Sequence, residues 1–214
     1  MNTKGTNALL ACGVIAGPIW VVVVIIQMII RPGFDISRHA VSVLSLGELG
    51  WIQITSFIVS GALVIAGAVG MRRALHPGRA GTWGPILIGL YGLGLIAAGI
   101  FPPDPMNGFP PGTADVPGQM SGHGLLHFLS AAVGFLSLIV AACFVFARRF
   151  AGLKQPGWVA YSVVTGAFFF VTWAALGFTS ARIGWISVLF AVAVASGWAW
   201  ITVVTARLRM TGNQ

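Results

Sequence analysis

Charged side chains are scarce in this sequence, and acidic ones are nearly absent. Only 7% of the 214 residues are charged, with four acidic residues against twelve lysines and arginines, while 57% are hydrophobic. Soluble domains are about a quarter charged, because their surfaces must face water. A chain so poor in charge cannot cover a water-facing surface, and the composition therefore predicts an integral membrane protein.

Cysteine is scarce as well, with two residues in the chain. Cys12 and Cys143 fall toward the same end of the predicted helices, on the side that we assign below to the cytoplasm. Disulfides are rare in that reducing compartment. We therefore interpret both residues as small buried hydrophobic side chains.

Long apolar runs are what the sequence has in abundance. Six of them approach the roughly 20 residues that an α-helix needs to cross a bilayer. They cover approximately 8–30, 51–71, 83–101, 122–147, 157–178 and 184–206. Proline and glycine stand at most of the junctions between them. The pattern predicts an all-α polytopic bundle of six transmembrane helices, a single membrane domain over 1–214 whose partner is the lipid bilayer.

The basic residues are distributed unequally between the two sets of loops, and this bias orients membrane helices. Three of them lie on one side with all four acidic residues: Arg31, Arg38 and Arg182. Nine lie on the other side: Lys4, Arg72, Arg73, Arg79, Arg148, Arg149, Lys154, Arg207 and Arg209. We expect a multi-pass protein of the cell membrane with both termini in the cytoplasm. Because the basic residues occupy short separate loops and match no motif, we expect no nucleic-acid partner.

The second outer loop collects ionisable groups in a segment rich in proline. It contains Asp104 and Asp115, and the fourth helix that follows carries His123 and His127. These two histidines are four residues apart, so they share one helix face. His127 lies about one turn inside the span, where an ionisable side chain is a functional candidate.

The first outer loop has a helical period of polar residues. In DISRHAVSVLSLGE, Asp35, Arg38, Ser42 and Ser45 fall at i, i+3, i+7 and i+10. We expect a short amphipathic helix at the outer interface. It would bring these residues and His39 toward the second loop and pack them against the helix end that carries His127.

Several of these stretches resemble a known family. The polar pattern D-x-x-R-H-x-x-S-x-x-S after helix one, GIFPPDP after helix three and His127 in helix four are similar to prokaryotic six-helix membrane proteins catalogued as domain of unknown function 998. The resemblance covers nearly the whole chain. It implies the fold and the membrane location, and it implies no activity.

Metal-dependent hydrolysis is one function that these residues permit. Zinc accepts histidine nitrogens and carboxylate oxygens, and it makes a bound water nucleophilic near neutral pH. His127, His123 and Asp104 are the candidate ligands, with Asp35 as an alternative carboxylate, and Ser42 or Ser45 would polarise the substrate. Zinc is therefore a candidate cofactor of a hydrolase that acts on a lipid or an amphiphile at the outer leaflet. Haem is disfavoured, because two histidines on one helix face cannot ligate opposite faces of the ring.

A lipid- or partner-binding scaffold with an outward-facing polar pocket is the function that we favour. Polar groups inside a membrane must find partners, so His127 is also explained as a structural tie to Asp35 or Asp104. Arg38, Arg182 and His39 are the candidates for contact with lipid headgroups or a small amphiphile. A small-molecule transporter is the third hypothesis, weakened because the inner halves of the helices carry almost no ionisable residue.

Overall fold

The computed structural model describes residues 3–115, 118–179 and 184–211 as an all-helical protein. Six helices are long and apolar enough to cross a membrane, as predicted. They are α1 (Thr3–Ile30), α2 (Gly50–Leu75), α3 (Arg79–Ile100), α4 (Gly122–Val140) with its continuation, α6 (Pro156–Thr179) and α7 (Gly184–Thr211). The continuation of α4 is a π-helical segment, Ala141–Phe146, followed by α5, Ala147–Gly152.

The sequence explains where α3 ends and where α4 begins. Helix α3 stops before Pro102 and Pro103, which have no N–H to extend the helical hydrogen bonds. Helix α4 starts with Ser121 as its N-cap, whose hydroxyl accepts a hydrogen bond from the Gly124 N–H at 3.0 Å. The connection between these two helices is thus fixed at both ends.

Glycines let α1, α2 and α3 approach one another closely. A Cβ built on Gly67 of α2 would lie 2.8 Å from the Gly13 Cα of α1, and one built on Gly92 of α3 would lie 2.8 Å from the Gly61 carbonyl oxygen of α2. Such backbone contact is how membrane helices pack when lipid is as apolar as the side chains. Large aromatic side chains fill the core of the bundle, among them Trp198, Trp200 and Phe169.

Two connections at one end of the bundle form a structured unit that we call the cap, residues 31–49 and 101–115. The end with the basic loops is called the basic end. The short helix expected in the first connection is a 3₁₀-helix, Val41–Ser45, and it is shorter than the polar period suggested. Asp35 and Arg38 precede it in turns, so they do not share a helix face with Ser42 and Ser45.

Candidate functional site: the cap

The cap has an apolar core of its own, separate from that of the helix bundle. Val43 and Leu44 from the 3₁₀-helix pack with Phe109 of the second connection, and all three are fully buried. Phe34 meets Phe109 edge to face with ring centroids 5.7 Å apart. Because residues far apart in the chain bury one another here, the two connections form a single unit.

Arg31 fastens this unit to the end of α1. Its guanidinium donates hydrogen bonds to the carbonyl oxygens of Leu44, at 2.9 Å, and of Leu46. It also lies over the Phe109 ring, 5.4 Å from the centroid. Burial lowers the pKa of Arg31, and the aromatic face and the two carbonyls compensate for the lost hydration.

His39, Arg38 and Asn107 join the first connection to the second by hydrogen bonds. The His39 Nδ1 accepts from the Asp35 N–H at 2.9 Å, so its Nε2 carries the proton and donates to the Asn107 carbonyl oxygen at 3.0 Å. The Asn107 amide donates to the Arg38 carbonyl oxygen at 2.7 Å. His39 is buried, and both of its ring nitrogens form hydrogen bonds within the cap.

Arg38 and Asp115 form an ion pair at the surface of the cap. Their side chains are 52% and 75% exposed, and a pair so accessible to water contributes little to stability. Arg182, the other arginine predicted to contact lipid headgroups, lies outside the described residues. Among the described residues of the cap, Arg38 is the basic side chain that is exposed to solvent.

Asp35 stabilises the turn that follows it. Its Oδ1 accepts hydrogen bonds from the hydroxyl of Ser37 at 2.7 Å and from the Ser37 N–H at 2.8 Å. These bonds lower the pKa of Asp35, with a smaller contribution from the positive charge of Arg38. The carboxylate is thus held in its charged form by local contacts.

The two candidate serines, Ser42 and Ser45, both lie within the 3₁₀-helix. The Ser45 hydroxyl donates to the Ser42 carbonyl oxygen at 2.7 Å, and Ser45 is buried while Ser42 is half-buried. A serine that bonds back to its own turn is a common structural element. This geometry gives neither serine a base to activate it.

Asp104 accepts a hydrogen bond from the backbone N–H of Ser121 at 2.8 Å, just before α4. Hydrogen bonds from Ser121 lower the pKa of Asp104, and the nearby His123 lowers it further. The carboxylate also packs against Gly124 at the start of α4, so closely that a Cβ at this position would overlap it. Asp104 thus joins the end of α3 to the start of α4.

His127 joins the same two helices one turn deeper. Its Nδ1 lies 2.8 Å from the Phe101 carbonyl oxygen and 3.2 Å from that of Ala98. Both neighbours are acceptors, which assigns the proton to Nδ1. The helical donor for the Ala98 carbonyl would be the N–H of residue 102, a proline, so His127 supplies the hydrogen bond that Pro102 cannot.

The residues predicted to hold a metal are therefore engaged in other contacts. Across the described parts of the chain, no group of three or more histidine, cysteine, aspartate or glutamate side chains is arranged to hold a metal ion. His123 is near Asp104, and its ring packs against Phe101 at 5.7 Å between centroids. The protonated Nδ1 of His127 is directed at the carbonyl oxygens at the end of α3. His127 therefore does not join Asp104 and His123 as a third ligand.

Several residues that build the cap were not predicted from the sequence to make contacts there. They are Arg31, Phe109, Asn107 and Asp115. Arg31 carried a usable signal, since it is an arginine directly at the end of an apolar run with no acidic residue beside it. The other three lie in a proline-rich loop without periodicity, where no local pattern indicates a partner.

Comparison with known proteins gives a family match over most of this structure. The model of a family described as "Protein of unknown function (DUF998)" matches residues 14–207. Searches of the curated proteins and of the solved structures give no match. The matched range includes the whole cap and every candidate residue discussed above.

Proposed function

The chain belongs to the DUF998 family, and we propose that it is a non-catalytic membrane scaffold whose cap binds a lipid headgroup or a partner protein. The observation that supports this proposal is that the ionisable groups are already engaged in hydrogen bonds within the protein. His127 donates to the carbonyls at the end of α3, and Asp104 accepts from Ser121 before α4. A hydrolytic site needs such groups free to meet a substrate and a water molecule.

Charge at the two ends supports an orientation for this scaffold. Among the described residues, four acidic side chains and two arginines lie at the cap end. The basic end carries nine lysines and arginines and no acidic residue in those same ranges. Positive loops stay in the cytoplasm, so we propose that the cap faces outward.

The cap is the proposed recognition surface because it is ordered by its own core and carries polar groups. The sides of the helices expose mainly apolar residues, as lipid contact requires. At the cap the charged side chains of Arg38, Glu48 and Asp115 are exposed. A fixed arrangement of charges costs less entropy on binding than a flexible loop would.

Site-specific photo-crosslinking in membranes tests the binding proposal. A photoreactive residue at Glu48, on the exposed cap, should capture a discrete lipid or protein species. The matched control is Trp51, one turn away at the start of α2 and 62% exposed, which we expect to capture bulk lipid only. Arg31→Met, which removes the fastening of the cap, should abolish the species seen at Glu48. Identical products at both positions would contradict the proposal.

Element analysis of the purified protein tests the non-catalytic part. We expect no stoichiometric zinc in the wild type, in His127→Asn or in Asp104→Asn. Bound zinc that disappears in both variants would replace the scaffold with the metal-dependent hydrolase.

A further inference from the structure

Seven buried polar atoms inside the bundle have no hydrogen-bond partner among the residues that the structure describes. They all belong to α1, α2 and α7. They are the indole nitrogens of Trp20 and Trp198, Oε1 of Gln27, Nε2 of Gln53, and the hydroxyls of Ser56, Ser60 and Thr202. We call this set the polar seam.

The pairing of α1 with α2 places part of the seam at matched levels. Gly13 packs on Gly67, and Gln27 donates to the Oε1 of Gln53 at 2.7 Å. On each helix these two contacts are fourteen residues apart. Each step of one residue toward the C-terminus of α1 therefore matches one step toward the N-terminus of α2. The same register sets Trp20 opposite Ser60. The seam therefore runs along the α1–α2 interface for about two helical turns, on the order of 10 Å.

Helix α7 continues the seam toward the basic end. Trp198 stacks on Trp20 with ring centroids 5.4 Å apart. A Cβ built on Gly17 would lie 2.6 Å from the Thr202 hydroxyl oxygen. Trp198 thus contacts the seam residue Trp20 of α1, and Thr202 lies against α1 about one turn closer to the basic end.

The hydroxyls of the seam differ from several others in this bundle. Ser130, Thr172, Ser196 and Thr205 each donate to a carbonyl three or four residues earlier in their own helix. Ser56, Ser60 and Thr202 make no such bond. A helical hydroxyl that leaves its own carbonyl is free to bond elsewhere.

Leaving the seam unpaired would be very unfavourable. A buried polar group without a partner loses its hydration and gains no hydrogen bond in return, and the seam has seven such atoms. The seam contains both donors and acceptors: Gln53 offers an N–H where Gln27 offers an oxygen, the two indoles donate, and the hydroxyls can do either. No ionisable side chain belongs to the set, so its partner is neutral and both donates and accepts.

We propose that the polar seam binds a line of water molecules within the membrane-spanning bundle. Water meets both requirements, and buried waters typically make about three hydrogen bonds to otherwise unpaired groups. The line would run from the level of Gln27 near the cap to that of Thr202 toward the basic end. This inference is independent of what the cap binds.

X-ray radiolytic labelling tests the proposal, because bound water near a buried side chain becomes the source of the hydroxyl radical that oxidises it. Trp198 and Trp200 form a matched pair: both lie on α7, at 1% and 0% exposure. The Trp200 indole N–H donates to the Ser162 hydroxyl at 3.0 Å, whereas that of Trp198 is in the seam. We expect Trp198 to be oxidised several-fold faster than Trp200 in the intact protein. Equal rates would overturn the proposal.

A second variant locates the water. Ser60→Ala removes one hydroxyl of the seam at the level of Trp20, with little change in volume. Oxidation of Trp20 should fall in this variant while that of Trp200 stays constant. Unchanged oxidation of Trp20 would show that its label comes from elsewhere and would refute the line of water at that level.

Discussion

Replacement of His127 tests the central structural assignment, that this side chain is a hydrogen-bond donor to the end of α3. The contact is made by Nδ1. Asparagine places an amide N–H at nearly the position of Nδ1, whereas glutamine places it closer to that of Nε2. We therefore expect His127→Asn to retain much of the stability and His127→Gln to retain less.

The expected magnitudes follow from what each variant leaves unpaired. His127→Ala removes the donor from two carbonyls in a site that is 3% exposed, which costs about 1–3 kcal/mol. The cavity between α3 and α4 increases the total to about 3–5 kcal/mol. His127→Asn keeps a donor and loses only ring packing, including the contact with Phe128 at 5.9 Å, for about 1 kcal/mol.

Equilibrium unfolding in mixed micelles, followed by tryptophan fluorescence, measures these free energies. His123→Ala is the matched control: it is the same residue type one turn away on α4, but it is exposed, and we expect a change within about 0.5 kcal/mol. If His127→Asn is as unstable as His127→Ala, the hydrogen bond to α3 is not what His127 contributes. If His127→Ala is silent, the whole assignment is refuted.

Further measurements test the cap and its orientation. Arg31→Lys cannot bond two carbonyls as a planar fork, so the cap should become sensitive to protease while the helices stay intact. Arg38→Gln should change stability by less than about 1 kcal/mol, because its ion pair with Asp115 is exposed. Because the folded protein lowers the pKa of Asp104, the charged carboxylate stabilises the fold at pH values above its unfolded pKa of about 3.9. This stabilisation is lost as the pH falls through the folded pKa. Asp104→Asn should therefore flatten the acid dependence of the melting temperature. A cysteine at Asn107 should react with an impermeant reagent in intact cells, and reaction only after lysis would reverse the proposed orientation.

The sequence predicted the helices well because their cause is local. An apolar run of about 20 residues has no alternative in a bilayer but to form a helix, and the prolines at 102 and 103 mark the end of α3. The family resemblance followed from motifs such as GIFPPDP, and the match over residues 14–207 confirmed it. That His127 lies inside the bundle also followed from its depth in α4, whereas the choice between metal ligand and structural tie did not.

Only the tertiary structure decided which partner each polar group has. As a structural tie, His127 was expected to meet Asp35 or Asp104, and it meets the carbonyl oxygens of Phe101 and Ala98, the second of which Pro102 leaves without a helical donor. Asp115 had no assigned role, and it pairs with Arg38.

The register of α1 on α2, set by backbone contact at Gly13, likewise brings Gln27 to Gln53. Hydropathy depends on each residue alone, so the sequence determines which segments lie in the membrane. A hydrogen bond depends on where two distant segments meet, and that is settled by packing and loop closure over the whole chain.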